Sequence, residues 1–140
     1  MDNHYEKLVA RIKKNEGLRF QPYRCSSGAL TIGYGHNLDA RGISLEAAEL
    51  LLRQDLEIAE KQVKNAFIWW PKLDPARLGV LIEMCFNVGI SGLCGFKKML
   101  AALEESDYKK AAKEMLDSKW AFQVKGRARE LAEIMQTGEW

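Results

Sequence analysis

The sequence predicts one α+β domain over residues 1–140 that is predominantly α. A small N-terminal β-hairpin lobe is expected to be joined by a long helix to a C-terminal helical lobe. Apolar residues recur at helical spacing along most of the chain, whereas β-formers flank a turn rich in serine and glycine near the N-terminus. Hydrophobic residues make up 47% of the chain, which is ample for the core of a soluble globular protein.

Composition excludes several classes of function. The net charge of +2 is too small to indicate nucleic-acid binding. Cys25, Cys85 and Cys94 are an odd number without metal-ligand spacing, so we expect no disulfide framework and no metal, and nothing calls for an organic cofactor. Residues 1–12 contain charges and no long apolar run, which predicts no signal peptide and a reducing cytoplasm as the compartment. A monomer is the default expectation.

The first helix is predicted over residues 3–16, packed on the helical lobe. Apolar residues recur at helical spacing from Tyr5 to Ile12, and Gly17 then supplies a helix stop. Glu16 therefore falls in the last turn. The negative end of the helix dipole disfavours an ionised carboxylate there and helps to keep a proton on Glu16.

The hairpin lobe is predicted over about residues 17–43. β-formers between Phe20 and Tyr34 flank Ser26-Ser27-Gly28, which is typical of a hairpin turn, and residues 37–43 are expected to form a short loop.

Three side chains of this region point to chemistry. The carboxyl of Glu16, the thiol of Cys25 and the hydroxyl of Thr31 can converge on one small cleft. Such a set is typical of a hydrolase, because an acid can protonate a leaving group while a second group supplies a nucleophile or positions water.

The connecting helix is predicted over about residues 44–67, with Ser44 as its N-cap. Its apolar stripe is expected to face inward, and Asp55 falls on that stripe. A carboxylate on an apolar face needs a partner, and His36 at the end of the hairpin is the expected one. This pair is expected to be structural rather than catalytic, tying the hairpin lobe to the helix.

The helical lobe is predicted over about residues 74–140. Asp74-Pro75 is typical of a helix start, and the segment that follows is apolar nearly all round, which indicates the central core helix. A tight connector containing Gly89, Gly92 and Gly95 is expected after it. Three shorter helices are predicted beyond the connector, around residues 96–103, 111–116 and 124–135.

Taken together, the motifs resemble the phage-type lysozymes of the T-even endolysin family, glycoside hydrolase family 24, and the resemblance spans practically the whole chain in the same order. The segments that carry it are Glu16-Gly17-Leu18-Arg19, Thr31-Ile32-Gly33-Tyr34-Gly35-His36, Phe86-Asn87-Val88-Gly89, Gly95-Phe96, Ser118-Lys119-Trp120, Gly126-Arg127-Ala128 and Thr137-Gly138-Glu139-Trp140. Members with a larger hairpin lobe carry more sheet and loop between the positions of His36 and Ser44.

The resemblance implies hydrolysis of the bond between N-acetylmuramic acid and N-acetylglucosamine in bacterial peptidoglycan. It implies Glu16 as the general acid and Thr31 as a hydroxyl that holds water. It also implies that Arg127 lies close to the acid and that Phe86 lines the saccharide groove. Asn37 and Asn87 are weaker candidates for the groove. Where many members carry a second carboxylate, this chain has Cys25.

The cysteine changes the expected chemistry. A thiol with an ordinary pKa of about 8.5 is mostly neutral at neutral pH, so the site is expected to lose a fixed negative charge. In an inverting mechanism Cys25 and Thr31 orient the attacking water. In the alternative, the thiolate attacks the sugar and gives a retaining enzyme.

Structural readings of the same residues stay open. Cys25 is equally compatible with a spectator that fills a small polar slot, Thr31 with a strand residue chosen for its β-propensity, and Phe86 with a core side chain.

Three classes of function follow. The leading one is an endolysin that accumulates in the host bacterial cytoplasm and reaches the wall only after a separate holin permeabilises the membrane. The second is a catalytically weak or inactive peptidoglycan-binding protein, favoured by Cys25. The third is membrane disruption or nucleic-acid binding by the basic segment 119–129, which is disfavoured because that segment looks like a packed helix with solvated charges. We therefore expect no nucleic-acid partner and no stable membrane association.

Overall fold

The computed structural model describes residues 3–140 and is α+β with helix predominating, which confirms the predicted fold class. Residues 1 and 2 lie outside the described residues. They are the first two residues of the predicted domain and of the N-terminal segment that is expected to contain no signal peptide. The elements in chain order are α1 (Asn3–Glu16), β1 (Arg19–Arg24), β2 (Leu30–Gly33), β3 (His36–Asn37), α2 (Leu38–Arg41), α3 (Leu45–Ala66), a 3-10 helix (Trp70–Lys72), α4 (Pro75–Cys94), α5 (Lys97–Glu104), α6 (Tyr108–Leu116), α7 (Lys119–Val124) and α8 (Gly126–Thr137).

The chain divides into two compact units, Met1–Leu50 and Leu51–Trp140. The boundary falls within α3, so the first turns of this helix belong to the first unit and the rest to the second. The first unit also contains α1 and the sheet. The expected packing of α1 on the helical lobe stays a prediction.

The sheet of the first unit is antiparallel, with the strand order β1-β2-β3. Tyr23 pairs with Thr31, and the β1–β2 register is irregular between Arg19 and Tyr23. Pro22 lies in this irregular stretch, where its lack of a backbone N–H is tolerated.

The loop predicted over residues 37–43 is wrong in detail. Residues 36–37 form the short third strand and residues 38–41 a single helical turn. The Asn37 carboxamide accepts a hydrogen bond from the Ala40 amide at 2.9 Å, so it caps that turn. An isolated helical turn has no apolar period, which explains why the sequence pattern did not predict it.

The long helix α3 begins as predicted. Ser44 Oγ accepts a hydrogen bond from the Ala47 amide at 3.1 Å, which confirms the N-cap. The predicted inward stripe is wrong over most of the helix, because only Ala59 and Val63 are buried and Leu52 is 46% exposed. Asp55 is itself exposed, so burial does not oblige its carboxylate to find a partner.

The core of the second unit is built around α4. Asp74 caps this helix and Pro75 occupies its first position, as predicted. By length and composition α4 could span a membrane, but its buried side chains belong to the core that α5, α6, α7 and α8 complete, so we interpret it as a core helix. The predicted glycine connector is wrong: Gly89 interrupts the helix with φ of 79°, and a further helical turn continues to Cys94.

Four helices follow α4 where three were predicted. The additional one, α7, begins at Ser118, whose hydroxyl accepts a hydrogen bond from the Ala121 amide at 3.1 Å. It ends at Lys125, where φ of 42° breaks the helix. Val124 therefore belongs to α7 and not to the last helix.

Arg77 fastens the end of the chain to the start of α4. Its guanidinium donates to the carbonyls of Met135 and Gln136 at 2.6 and 2.8 Å and binds the Asp74 carboxylate at 3.0 Å. It also stacks on the Tyr108 ring at 3.5 Å. These contacts satisfy carbonyls that the end of α8 leaves without helical partners.

Candidate active site

Glu16 is the last residue of α1 and is exposed. The helix stops because Gly17 adopts a positive φ of 74° while its amide still bonds to the Lys13 carbonyl at 3.0 Å. The Glu16 carboxyl lies against Gly35, between β2 and β3: a β-carbon built on Gly35 would stand 2.9 Å from Oε2. Within the first unit, the described residues give this carboxyl no hydrogen bond or ion pair.

Cys25 follows β1 and opens the turn to β2. The Gly28 amide donates to the Cys25 carbonyl at 2.8 Å, and the Cys25 amide donates to the Ala29 carbonyl at 3.0 Å. Gly28 has φ of 88°, which suits a hairpin turn that ends on a left-handed residue. The turn folds Ser27 back over Cys25, so the Ser27 Oγ lies 3.0 Å from the Cys25 Sγ.

The surroundings of the Cys25 thiol lower its pKa to about 7. The largest cause is the hydrogen bond from the Ser27 side chain, followed by backbone hydrogen bonds at Ser27 and Ala29 and a side-chain hydrogen bond from Thr31, while partial burial opposes them. A thiol with a lowered pKa is ionised to a greater extent at neutral pH than the ordinary cysteine of the sequence expectation.

Thr31 lies at the start of β2 and is 3% exposed. Its hydroxyl donates to the Ala29 carbonyl at 2.9 Å. Paired residues of an antiparallel sheet share a face, and so do residues two apart on one strand. Tyr23 pairs with Thr31, and Cys25 follows Tyr23 by two residues, so the thiol and the hydroxyl lie on the same side of the hairpin.

Two of the three predicted catalytic side chains therefore lie at one end of β2, and the third lies at the other end. Cys25 and Thr31 lie on the same side of the hairpin at one end of β2, and the Thr31 side chain contributes to the lowered pKa of Cys25. Glu16 is held beside the turn at the opposite end of the same strand. All three belong to the first unit.

His36 and Asn37 serve the same lobe. The His36 Nε2 lies 2.6 Å from the Gly42 carbonyl, to which it donates as the protonated ring nitrogen. Asn37 has its carboxamide oxygen committed to the cap of α2. The predicted pair of His36 with Asp55 joins residues of the two units and stays a prediction.

In the second unit, Phe86 is 43% exposed on α4, so it is not the buried core residue of the alternative reading. It borders an open cavity of about 300 Å³. The other residues that line this cavity are Asp55, Ile58, Ala59, Gln62 and Cys85. An aromatic face beside a carboxylate and a carboxamide is the usual make-up of a site that binds polar rings.

Arg127 binds Glu83 at 2.9 Å within the second unit. Its predicted proximity to Glu16 joins the two units and stays a prediction. The Trp120 indole donates a hydrogen bond to the Asn87 carboxamide oxygen at 2.7 Å. This bond engages the side chain of Asn87, which was a candidate for the saccharide groove.

Two residues of this site were not singled out from the sequence. Ser27 was read only as part of a turn, although a serine two residues after a cysteine in a four-residue turn can reach back to the sulfur. Gly35 was read only within a motif, although its φ of 76° and its contact with Glu16 both require glycine. Within residues 3–140, no cluster of three potential metal ligands is present and all three cysteines are free.

The sequence pattern of the phage lysozyme family matches residues 13–134. The chain is 28% identical to probable T4-type lysozyme 1 of Dictyostelium discoideum over an alignment 156 residues long. The alignment covers 91% of this chain and 92% of that protein. It is 34% identical over 119 residues to an endolysin of Acyrthosiphon pisum secondary endosymbiont phage 1, covering 83% and 78%. A match at 28% identity to the pre-baseplate central spike protein Gp5 of Enterobacteria phage T4 covers 98% of this chain but spans only 29% of that protein.

Proposed function

Because the chain belongs to the phage lysozyme family of glycoside hydrolases, we propose that it hydrolyses the bond between N-acetylmuramic acid and N-acetylglucosamine in bacterial peptidoglycan. The observation that carries this proposal is the arrangement around β2. An exposed carboxyl is held at one end of the strand, and a thiol and a hydroxyl on the same side of the hairpin are held at the other. Such an arrangement offers a proton donor and a water-holding pair to one substrate.

Glu16 is the general acid of this proposal. Its position against Gly35 restricts where the carboxyl can lie, and its exposure lets the glycosidic oxygen approach. In the reaction, protonated Glu16 gives its proton to the glycosidic oxygen as the bond from that oxygen to C1 breaks.

Cys25 and Thr31 hold the attacking water. Water adds to C1 from the face opposite the leaving group and loses its proton to the Cys25 thiolate, so one water is consumed and one new reducing end is formed. The proton on Cys25 later returns to Glu16 through solvent. A thiol whose pKa lies near 7 suits this step, because a base works best when its pKa is close to the working pH.

Attack by the thiolate itself is the alternative for Cys25. It would form a covalent sugar adduct and retain the configuration at C1, whereas attack by water inverts it. Proton NMR of the first-formed anomer distinguishes the two, and we expect inversion.

The cavity beside Phe86 supports a saccharide groove in the second unit. A ring that is 43% exposed can stack on the apolar face of a sugar, while Asp55 and Gln62 offer hydrogen bonds to its hydroxyls. Asn37 contributes less to binding in this proposal, since its oxygen already caps α2.

The cellular setting is part of the same proposal. Two relatives are named endolysins, and we propose that this protein likewise accumulates as a monomer in the host bacterial cytoplasm. It then acts on the wall, without nucleic acid or stable membrane association, after a separate holin opens the membrane.

A second candidate is a protein that binds peptidoglycan but cleaves it weakly or not at all. Cys25 favours it, because the second carboxylate that many family members carry is missing. Wall binding without release of reducing ends would support this candidate.

Analysis of the new ends tests which bond is cut. Purified peptidoglycan is digested, the reducing ends are reduced with borohydride, and the products are hydrolysed and separated by mass spectrometry. The proposal predicts muramitol at the new ends. Glucosaminitol, or no new ends with the native protein, would contradict it.

A further inference from the structure

The Ser27 side chain lies within hydrogen-bond distance of the Cys25 sulfur. Its Oγ lies 3.0 Å from the Sγ, and the turn that holds it there is closed by the Gly28 amide at 2.8 Å and by the Cys25 amide at 3.0 Å. These backbone bonds hold the Ser27 backbone beside Cys25. Among the described residues, its hydroxyl makes no other hydrogen bond.

We propose that Ser27 is a positioning residue for the hydrolysis: its hydroxyl donates a hydrogen bond to the Cys25 sulfur and thereby holds it as the thiolate that receives the proton of the attacking water. This proposal rests on the function proposed above. It gives the hairpin lobe a negative charge at the position where the family's second carboxylate is absent.

The ionised Cys25 sulfur carries no proton and can only accept, so the Ser27 hydroxyl is the donor of the 3.0 Å hydrogen bond to the thiolate. A hydroxyl has one proton to donate. The Thr31 hydroxyl donates to the Ala29 carbonyl at 2.9 Å, and its side chain is the smallest of the causes that lower the pKa of Cys25. The Ser27 proton has no competing acceptor within residues 3–140. In agreement with this, the Ser27 side chain is the largest cause of the low pKa of Cys25.

The charged groups around the turn do not account for the thiolate. The Arg24 guanidinium donates to the Gly28 carbonyl at 3.2 Å and lies 3.6 Å from the Asp39 carboxylate, so these opposite charges largely offset each other. On the neighbouring elements, Tyr23 shares the face of Cys25 on β1, and Glu16 lies at the end of α1. The pKa of Cys25 is lowered by hydrogen bonds alone.

The pH profile of Cys25 alkylation tests the proposal without requiring activity. The intact protein is treated with iodoacetamide from pH 5 to 10, and the rate at Cys25 is read from its peptide by mass spectrometry. The variants are Ser27→Ala, Ser26→Ala as a matched control in the same turn, and Ser27→Thr to restore the hydroxyl. Reducing-end release is measured over the same pH range.

We expect a midpoint near pH 7 for the native protein. Ser27→Ala should move it upward by about one pH unit, and Ser26→Ala and Ser27→Thr should leave it nearly unchanged. The midpoint is decisive and the rate at one pH is not, because a thiolate of higher pKa is also more nucleophilic and partly offsets its lower population. The rise of hydrolysis with pH should move with the same midpoint.

Three results would overturn the proposal. The Ser27→Ala midpoint could stay where it is. Ser26→Ala could move it equally, which would implicate the turn as a whole. The thiol midpoint could move while the pH profile of hydrolysis does not, which would separate Ser27 from the reaction but leave Glu16 as the acid. If the native protein releases no reducing ends, the proposed function fails together with the role of Ser27 in it, and the alkylation midpoint still decides whether Ser27 ionises the thiol.

Discussion

Gly35 should matter for activity because it makes room for the Glu16 carboxyl. In Gly35→Ala, the new β-carbon would stand 2.9 Å from Oε2 and 3.1 Å from the carboxyl carbon. An ordinary contact begins at 3.4 Å, so Oε2 must move by about 0.5 Å, which is 3.4 minus 2.9. The carboxyl is the free end of a flexible side chain, so it can move without disrupting the fold.

Gly33 supplies the matched control. Its φ of 69° is close to the 76° of Gly35, but a β-carbon on Gly33 meets nothing within 4 Å. Both alanine variants should lose about 1–2 kcal/mol of unfolding free energy from left-handed backbone strain. Only Gly35→Ala should also displace the acid, and a shift of this size should lower kcat by about tenfold.

The assay combines two readouts on the same preparations. Thermal unfolding gives the loss of stability, and the initial rate of reducing-end release, corrected for the folded fraction, gives kcat. We expect equal losses of stability and a larger loss of kcat in Gly35→Ala. Equal kcat values for the two variants would refute the reasoning that Gly35 sets the position of Glu16.

Three further predictions concern stability. Arg77→Met should lower the unfolding free energy by about 2–4 kcal/mol, because the carbonyls at the end of α8 lose their donor, while activity per folded molecule stays the same in the reducing-end assay. Trp120→Phe should lower the unfolding free energy measured in urea by about 1–2 kcal/mol. Asn87→Ala should lower it by less in the Trp120→Phe background than in the native protein, because both substitutions remove the same hydrogen bond. The native protein should gain stability relative to Cys25→Ser as pH rises from 7 to 9, because the folded pKa is lowered to about 7; melting curves that run parallel over this window would contradict it.

Long periodic elements and helix caps were predictable from the sequence. The caps at Ser44 and Asp74 are confirmed because a side-chain oxygen that bonds the amide three residues later depends on local sequence alone. The α+β class is confirmed. It was predictable because apolar residues recur at clearly different spacings in helices and in strands.

Short elements escaped prediction because neighbours decide them. The turn at residues 38–41 depends on the Asn37 cap, and the separate helix α7 depends on a backbone reversal at Lys125. The exposure of α3 also escaped, because an apolar stripe does not reveal which of its turns find a partner.

At the candidate site, residue types were predictable but their chemical states were not. The sequence identifies Glu16, Cys25 and Thr31 as a set, yet the ionisation of Cys25 depends on how the turn folds Ser27 onto the sulfur. Similarly, Asn37 and Asn87 were candidates for binding sugar, but each has its carboxamide oxygen engaged in a structural hydrogen bond. Hydrogen-bond partners of this kind follow from tertiary geometry.

In the proposed reaction, Glu16 supplies the proton that cleaves the glycosidic bond of peptidoglycan. The most direct test is the rate of reducing-end release from purified peptidoglycan by the native protein, by Glu16→Gln and by Glu6→Gln, a matched change on the same helix. We predict that Glu16→Gln abolishes release while it still folds and binds the wall, and that Glu6→Gln retains the native rate. Substantial release by Glu16→Gln would contradict the role of Glu16 as the proton donor.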